Sequence, residues 1–332
     1  MKIIVLAGGN SPESEVSVCS GLAVAKALCL AGCKVALLHP SQFLDRNTDY
    51  FSDNFSVVSE IFSDSLNSGN FSGYYISFDV LSYCRKCDRV FLALHGGDGE
   101  NGRLQAVLRT YGINFTGSSP EACFVAMDKV RSKQIYEYAG ILTPLFTVFK
   151  KGQHSLPVPP RYPCVIKPAD GGSSFGVTIA YNPSMLVSAV DRALEFCDTV
   201  IMEEKITGRE FSCSILNDQP VAVTEIIPKN SFFDYESKYI SGAAREITPA
   251  PISDILTHKA MSVALRAHKA LGLSNFSRTD MILSEKSNLF YTLETNTLPG
   301  MTETSILPAA AAYAGYDFPS LCLAMMTKQH SN

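Results

Sequence analysis

The sequence predicts a mixed α/β and α+β fold, in which an N-terminal parallel α/β unit is followed by antiparallel units. Strand and helix signals alternate through the first third of the chain, which is typical of a parallel sheet covered by helices. Further on, short apolar runs are joined by turn-rich segments, which favours antiparallel pairing. Two such runs, residues 277–283 and 289–293, predict a β-hairpin. We expect three domains, formed by residues 1–126, 127–208 and 209–332.

The first unit begins with an apolar strand at residues 2–7. Ser11 then predicts a helix start as its N-cap, since Pro and Glu follow it, and Gly32 ends that helix. Residues 34–38 form a second strand. Residues 40–75 are rich in Ser, Asn, Asp and Phe with little periodicity, and we expect a loosely structured excursion there.

A third strand at residues 89–94 is followed by a glycine-rich segment and by a helix that ends near Tyr111. Residues 97–102 match G-x-G-x-x-G, so a nicotinamide-dependent oxidoreductase is an alternative hypothesis. Asp98 and Glu100 would repel a pyrophosphate, and the motif normally follows the first strand of its unit, which makes this match weak. His95 lies where the third strand ends, the place at which α/β folds bind ligands.

The remaining elements follow from short apolar runs, helical periodicity and turn residues. The predicted helices are residues 127–139, 183–196 and 253–271, with two Ala-rich helices at the C-terminus, and the predicted strands are residues 145–149, 162–167, 177–180, 199–206, 211–216 and 221–227.

The predicted hairpin contains several charged and amide side chains close together in sequence. Side chains alternate along a strand, so Arg278 and Asp280 share one face, and Glu294 and Asn296 share one face of the partner strand. Two carboxylates and an amide oxygen suit Mg²⁺, which commonly holds nucleotide phosphates. The loop at residues 297–302 can present backbone N–H groups to an anion. The alternative is an acidic hairpin with a solvated face.

Polar groups for a nucleotide occur in the middle of the chain. Lys167 ends a strand, and the glycine-serine loop after it is a phosphate-binding candidate, although a plain hairpin turn is the alternative. Glu203, Glu204 and Glu210 could accept hydrogen bonds from ribose or adenine, and would otherwise be surface acids. The cations that open the helix at residues 127–139 would by default form a solvated face; they are Lys129, Arg131 and Lys133.

Composition excludes several classes of protein. The chain has 332 residues, 46% hydrophobic and 18% charged, which describes an ordinary globular protein. A net charge of −4 argues against a nucleic-acid partner, and no apolar run approaches the roughly 18 residues of a membrane span. The N-terminal apolar run is too short for a signal peptide. We therefore expect a cytoplasmic protein whose ten cysteines are reduced.

A series of segments resembles, in order, the signatures of the D-alanine–D-alanine ligase family of the ATP-grasp superfamily. They are residues 8–17, 93–96, 127–129, 167–176, 233–239, 278–280 and 293–302. The resemblance implies the three-domain ATP-grasp architecture, a homodimer, and ATP-dependent joining of two D-alanines through an acyl phosphate for peptidoglycan precursors. The chain departs from the pattern at residues 170–171, Asp-Gly where many members carry Arg-Glu, and at Phe233, where a Tyr is common.

The resemblance also implies roles for individual residues. Lys129 and Lys167 would hold the ATP phosphates, with Glu203 at the adenine and Glu210 at the ribose, and Glu204 would be a further nucleotide-binding residue. Asp280, Glu294 and Asn296 would hold two Mg²⁺ ions, with Mn²⁺ as an alternative. Glu13 would bind the ammonium of the first substrate, and Ser173 and Tyr239 would close the lid. Arg278 and the Gly300 N–H would stabilise the oxyanion. Ser305 and Lys238 would bind the carboxylate of the second substrate, and His95 and Ile306 would lie in the substrate pocket.

Two related functions stay open beside this one. A ligase that makes D-alanyl-D-lactate or D-alanyl-D-serine would share most of these residues, although the Tyr-x-x-Lys-Tyr loop at residues 235–239 resembles the D-alanine type. The other alternative is a non-catalytic ATP-grasp binding module. The presence of Arg278 and of all the metal ligands argues against it, because a module without catalysis does not need these residues.

Overall fold

The structure is a computed structural model that describes residues 1–173, 175–228 and 244–326. Its strands form three sheets, one parallel and two antiparallel. The predicted mixed fold class is therefore confirmed, whereas the three domain boundaries stay a prediction.

The N-terminal unit is built on a parallel sheet with the strand order β2-β1-β3. Its strands are β1 (Lys2–Leu6), β2 (Lys34–Leu38) and β3 (Arg89–Leu92). Its helices are α1 (Ser14–Leu30), α2 (Phe55–Ser68), α3 (Phe78–Cys84), α4 (Gly97–Glu100), α5 (Arg103–Thr110) and α6 (Pro120–Met127). The strands are almost continuously apolar because helices bury them, as expected of a parallel sheet.

Two predictions for this unit were wrong. Helix α1 begins at Ser14 with Glu13 at its N-cap, and Ser11 instead donates a hydrogen bond to the carbonyl of His95 at 2.6 Å. Residues 40–75 contain α2, an ordered helix whose N-terminus is capped by the side chain of Asn54. The Ser- and Asn-rich exposed face of α2 hides an apolar stripe with helical spacing, in which Val58 and Phe62 are buried.

The second sheet is antiparallel, with the order β4-β7-β5-β6. Its strands are β4 (Phe146–Lys150), β5 (Cys164–Pro168), β6 (Thr178–Ala180) and β7 (Thr199–Glu204). Helix α7 (Lys129–Tyr138) precedes this sheet, and α8 (Pro183–Leu194) packs on it to form a small separate core. The central strand β7 ends at Glu203 and Glu204.

The third sheet has the order β10-β9-β8-β11-β12. Its strands are β8 (Gly208–Leu216), β9 (Gln219–Pro228), β10 (Ala244–Ile247), β11 (Phe276–Ser284) and β12 (Phe290–Asn296), and its helices are α9 (Asp254–Ala270), α10 (Ile306–Tyr313) and α11 (Phe318–Ala324). Strands β11 and β12 form the predicted hairpin.

The C-terminal helices join the third unit to the first. Leu321, Cys322 and Met325, in or just after α11, belong to the same buried cluster as the strands of the parallel sheet. The loop that precedes α10 contacts the first unit as well, since Leu298 lies against His95 just after β3 and Met301 against Ser20 of α1. Among the described residues, no helix is both long and apolar enough to cross a bilayer.

Candidate active site

Two adjoining cavities have volumes of about 530 and 560 Å³. The first is lined by residues of all three units, and the second by residues of α7 and of the second and third units. Every predicted site residue in the described part of the chain lines one cavity or both. The first cavity alone holds Glu13, His95, Arg278, Asn296, Gly300, Ser305 and Ile306; the second alone holds Lys167, Glu203, Glu204 and Glu210; both share Lys129, Ser173, Asp280 and Glu294. The residues predicted for substrates are thus separated from most of those predicted for the nucleotide. Lys238 and Tyr239 lie outside the described residues.

The hairpin of β11 and β12 contributes lining residues to both cavities. Asp280 lies directly opposite Glu294, and Arg278 lies opposite Asn296. Arg278 Nε and Nη2 donate to the two oxygens of Asp280 at 2.9 and 2.7 Å, and Asn296 Nδ2 donates to Asp280 Oδ2 at 3.0 Å. The convergence that strand alternation predicts is confirmed.

This arrangement suits a hard divalent cation. Asn296 donates through its amide nitrogen, so its amide oxygen is the atom left for a cation. Glu294 Oε2 is 3.5 Å from the ammonium of Lys129, which places a phosphate-binding candidate beside a ligand candidate. Two carboxylates and an amide oxygen can hold Mg²⁺ that keeps waters and phosphate oxygens as its other ligands. Among the described residues, no group of three or more His, Cys, Asp or Glu side chains is arranged to hold a metal ion by itself.

Glu13 and Ser173 meet in the first cavity. The Ser173 hydroxyl donates a short hydrogen bond to a carboxylate oxygen of Glu13. A Cβ at Gly172 would lie 3.1 Å from the other carboxylate oxygen, and one at Gly96, which has φ +65°, would clash with it. The two glycines thus let the backbone approach the carboxylate closely. The structure thus brings Glu13 and Ser173 together, while the link through Ser173 to Tyr239 stays a prediction.

His95 holds the loop before α10. Its Nδ1 lies 3.1 Å from the carbonyl oxygen of Leu298, and its Nε2 lies 2.9 Å from the hydroxyl of Ser20. Burial lowers the pKa of His95, so the ring is neutral near pH 7. Because a carbonyl only accepts, Nδ1 carries the proton and Nε2 accepts from Ser20, whose oxygen accepts in turn from the Met301 N–H at 3.3 Å. His95 therefore positions the backbone on both sides of Gly300.

Glu100 is a site residue that sequence reasoning missed. Its Oε1 accepts hydrogen bonds from the N–H groups of Thr297 and Leu298, both at 3.2 Å, and its Oε2 accepts from the Gly96 N–H at 3.1 Å. Burial, followed by the nearby Glu13 carboxylate, raises the pKa of Glu100 to about 7. The sequence feature that could have indicated Glu100 is the glycine-rich segment after β3. This segment forms the short helix α4 rather than a dinucleotide-binding turn, and Glu100 at its end reaches the loop that precedes α10.

A buried group of three charges borders the second cavity. Glu203 Oε1 is 3.0 Å from the ammonium of Lys167 and 3.0 Å from that of Lys133. The solvated position expected by default for the cations at the start of α7 is wrong for Lys129 and Lys133, because both side chains are buried. Arg131 is exposed, as expected. Lys129 and Lys133 are four residues apart on the inward face of the helix, where carboxylates from other strands pair with them.

The other acids of the second cavity differ in their partners. Glu204 Oε1 accepts from the Leu145 N–H at 3.1 Å, and its Oε2 is 3.4 Å from the guanidinium of Arg161. Glu210 is half-buried on β8, between Ile226 and Ile282 of the neighbouring strands. Their predicted contacts with adenine and ribose stay predictions.

The second-substrate residues lie at the start of α10. Ser305 is the N-cap, and its hydroxyl accepts from the Thr302 N–H at 3.0 Å. A Cβ at Gly300 would lie 2.7 Å from the Ser305 hydroxyl, so glycine permits this close approach. Ile306 begins the helix and presents a buried apolar wall to the first cavity.

Two family models match this chain, one in its N-terminal part and one in its C-terminal part. Residues 2–118 match the family described as D-ala D-ala ligase N-terminus, and residues 134–327 match D-ala D-ala ligase C-terminus. The chain belongs to the D-alanine–D-alanine ligase family. The family that the sequence motifs resemble is thereby confirmed.

Relatives in this ligase family span nearly the whole chain. It is 38% identical to the D-alanine–D-alanine ligase of Pediococcus pentosaceus, covering 97% of this chain and 95% of the relative. Among solved structures, the Bacillus anthracis D-alanine–D-alanine ligase complexed with ATP is 28% identical, covers 98% of this chain and 96% of its own, and has a TM-score of 0.77. The VanG D-Ala:D-Ser ligase of Enterococcus faecalis is likewise 28% identical, covers 98% of both chains, and has a TM-score of 0.79.

Proposed function

We propose that this chain joins two D-alanine molecules into D-alanyl-D-alanine, with ATP converted to ADP and phosphate, as a supply reaction for peptidoglycan. The observation that carries the proposal is the pair of adjoining cavities that share Lys129, Asp280 and Glu294. A nucleotide in the second cavity and amino acids in the first would meet at these residues. The membership of the D-alanine–D-alanine ligase family supports the same reaction.

The chemistry has two balanced steps. A carboxylate oxygen of the first D-alanine attacks the γ-phosphorus of ATP, and ADP leaves with the electron pair of the broken P–O bond. The amine of the second D-alanine then attacks the acyl carbon, loses a proton, and phosphate leaves. Activation is needed because a free carboxylate is a poor electrophile.

On the nucleotide side, Lys129 and Lys167 would hold the phosphates, and Glu204 and Glu210 would face adenine and ribose. Glu203 is also assigned to the adenine, although its carboxylate already pairs with two lysines. Asp280, Glu294 and Asn296 would hold two Mg²⁺ ions, with Mn²⁺ as an alternative. The ions would neutralise charge on the transferred phosphoryl group.

On the substrate side, Glu13 would bind the ammonium of the first D-alanine and Ser305 the carboxylate of the second. Arg278 and the Gly300 N–H would stabilise the oxyanion that forms when the amine attacks. His95 and Glu100 support this role, because both hold the backbone of the loop that contains Gly300.

A D-alanyl-D-serine product is the second candidate, favoured by the likeness to the VanG ligase. The apolar wall at Ile306 argues for D-alanine, because a serine hydroxyl would lose its hydration there without gaining a partner. We also propose a homodimer and a cytoplasmic location. The dimer rests on the family resemblance, and light scattering of the purified protein tests it.

The test of the reaction is phosphate release with ATP, Mg²⁺ and D-alanine, with the dipeptide identified by mass. L-Alanine, D-lactate and D-serine serve as comparison substrates. We expect turnover with D-alanine and none with L-alanine. Phosphate release that does not depend on D-alanine, or a product other than the D-alanyl dipeptide, would refute the proposal.

A further inference from the structure

Lys133 is a buried cation that lines neither cavity. Its side chain is 0% exposed. Its ammonium is 3.0 Å from Glu203 Oε1 and donates to the Thr143 hydroxyl at 2.5 Å, which in turn donates to the carbonyl of Thr292 at 2.9 Å. The ring of Phe146 lies 5.9 Å from the same ammonium. Lys133 therefore acts on a ligand only through its neighbours.

Glu203 is the neighbour that reaches the ligand site. The same oxygen of Glu203 is 3.0 Å from the ammonium of Lys133 and 3.0 Å from that of Lys167. Of these three residues, Lys167 and Glu203 line the second cavity and Lys133 does not. One carboxylate balances one ammonium, so this group of two lysines and one glutamate keeps one positive charge. That charge faces the cavity through Lys167, because Lys133 lies behind Glu203.

Lys129 and Glu294 are the next charges to consider. Lys129 has its own partner in Glu294, at 3.5 Å, and those two groups compensate each other. Burial lowers the pKa of Lys133 to about 8, opposed by the attraction of Glu203. Burying the charged form of Lys133 costs desolvation free energy, which favourable interactions of its ammonium must offset.

We propose that Lys133 is a positioning residue for nucleotide binding: it is the second counter-ion of Glu203 and so leaves the charge of Lys167 available to the nucleotide's phosphates. The inference rests on the proposed use of ATP. Without Lys133, Glu203 would have Lys167 as its remaining close cation, and a phosphate would have to compete with a buried carboxylate for that ammonium. Such competition is strong where water is scarce.

The test measures the binding of Mg²⁺·ADP by calorimetry in a double-mutant cycle. Lys133→Met should weaken binding about tenfold, which corresponds to about 1.4 kcal/mol. In the Glu203→Gln background, the same Lys133→Met change should alter binding less than about twofold, because no carboxylate remains to neutralise Lys167. Adenosine, which carries no phosphate, should bind Lys133→Met as well as it binds the parent.

Arg131→Met is the matched control, because it removes an exposed cation of the same helix that pairs with Asp128 at 3.0 Å. It should leave Mg²⁺·ADP binding unchanged. Thermal unfolding checks that each variant is folded, and Lys133→Gln, which retains a hydrogen-bond donor, replaces Lys133→Met if the latter does not fold.

Three results would overturn the inference while leaving the proposed function intact. They are unchanged ADP binding by folded Lys133→Met, an equal loss in both Glu203 backgrounds, or an equal loss for adenosine and ADP. A parent protein that bound no Mg²⁺·ADP would overturn the proposed function and this inference together.

Discussion

Asp280 and Glu294 lie directly opposite each other on β11 and β12, and their side chains line both cavities of the site. This cross-strand pair is therefore the point at which a nucleotide in one cavity and an amino acid in the other would meet. Arg278 and Lys129 sit beside the pair and compensate its charge in the absence of a ligand.

Glu294→Gln should leave the fold intact and lower kcat by at least roughly a hundredfold, because the amide removes the charge that would face the proposed Mg²⁺ and the transferred phosphoryl group. Steady-state phosphate release at saturating ATP and D-alanine measures the effect. Glu285→Gln is the control, since Glu285 lies exposed in the turn of the same hairpin. Near-parental turnover of Glu294→Gln at ordinary Mg²⁺ would contradict the metal assignment.

Ser173→Ala should uncouple ATP hydrolysis from dipeptide formation, because it removes the hydroxyl that binds Glu13 and so loosens the cover of the first cavity. Tyr239→Phe should do the same if the lid closes through Tyr239, Ser173 and Glu13. The measured quantity is the ratio of phosphate released to dipeptide formed, which should rise well above one. Tyr313→Phe, at an exposed tyrosine, should keep the parental ratio, and equal coupling in all variants would argue against the lid.

The second position should accept D-alanine over D-serine by at least about tenfold in kcat/KM, since an unpaired hydroxyl against an apolar wall costs roughly 1–3 kcal/mol. Competition between the two amino acids, with the dipeptides resolved by mass, gives the ratio directly. Ile306→Thr keeps the β-branch and adds a hydroxyl, and should lower the preference. Comparable amounts of both dipeptides from the parent would show that Ile306 does not form this wall.

His268 should make the fold sensitive to acid. Its ring is buried between Ser277 and Asp218, and burial lowers its pKa from 6.5 to about 4. Between these values the unfolded chain binds the extra proton, so the free energy of unfolding should fall as the pH drops from 6.5 to 4, by up to about 1.4 kcal/mol per pH unit.

Urea unfolding between pH 4 and 7 tests this dependence. His268→Gln should be less stable than the parent at pH 7 and should show a flatter pH dependence. His258→Gln, at an exposed position of the same helix, should retain the parental slope. A parental slope in His268→Gln would assign the acid sensitivity to other groups.

The sequence by itself determined the elements whose signals are local. Alternation along β11 and β12 placed Arg278, Asp280, Glu294 and Asn296 together, because the pleat of a strand decides which side chains share a face. The parallel character of the first sheet followed from the alternation of strand and helix signals through the first third of the chain. The ordered set of motifs was sufficient for the family, and it named many of the residues that line the cavities, although not Glu100.

Only the tertiary structure decided where distant segments meet. The hydrogen bond from the Leu298 N–H to Glu100 spans 198 positions and has no local signal. The contact of Glu13 with Ser173 spans 160 positions and had no signal besides the family resemblance. Lys133 sits in a polar stretch that suggests a solvated helix face, yet β7 supplies a carboxylate that permits its burial. A buried charge depends on partners from other elements, and which partners arrive is decided by the packing of the sheets rather than by the periodicity of one helix.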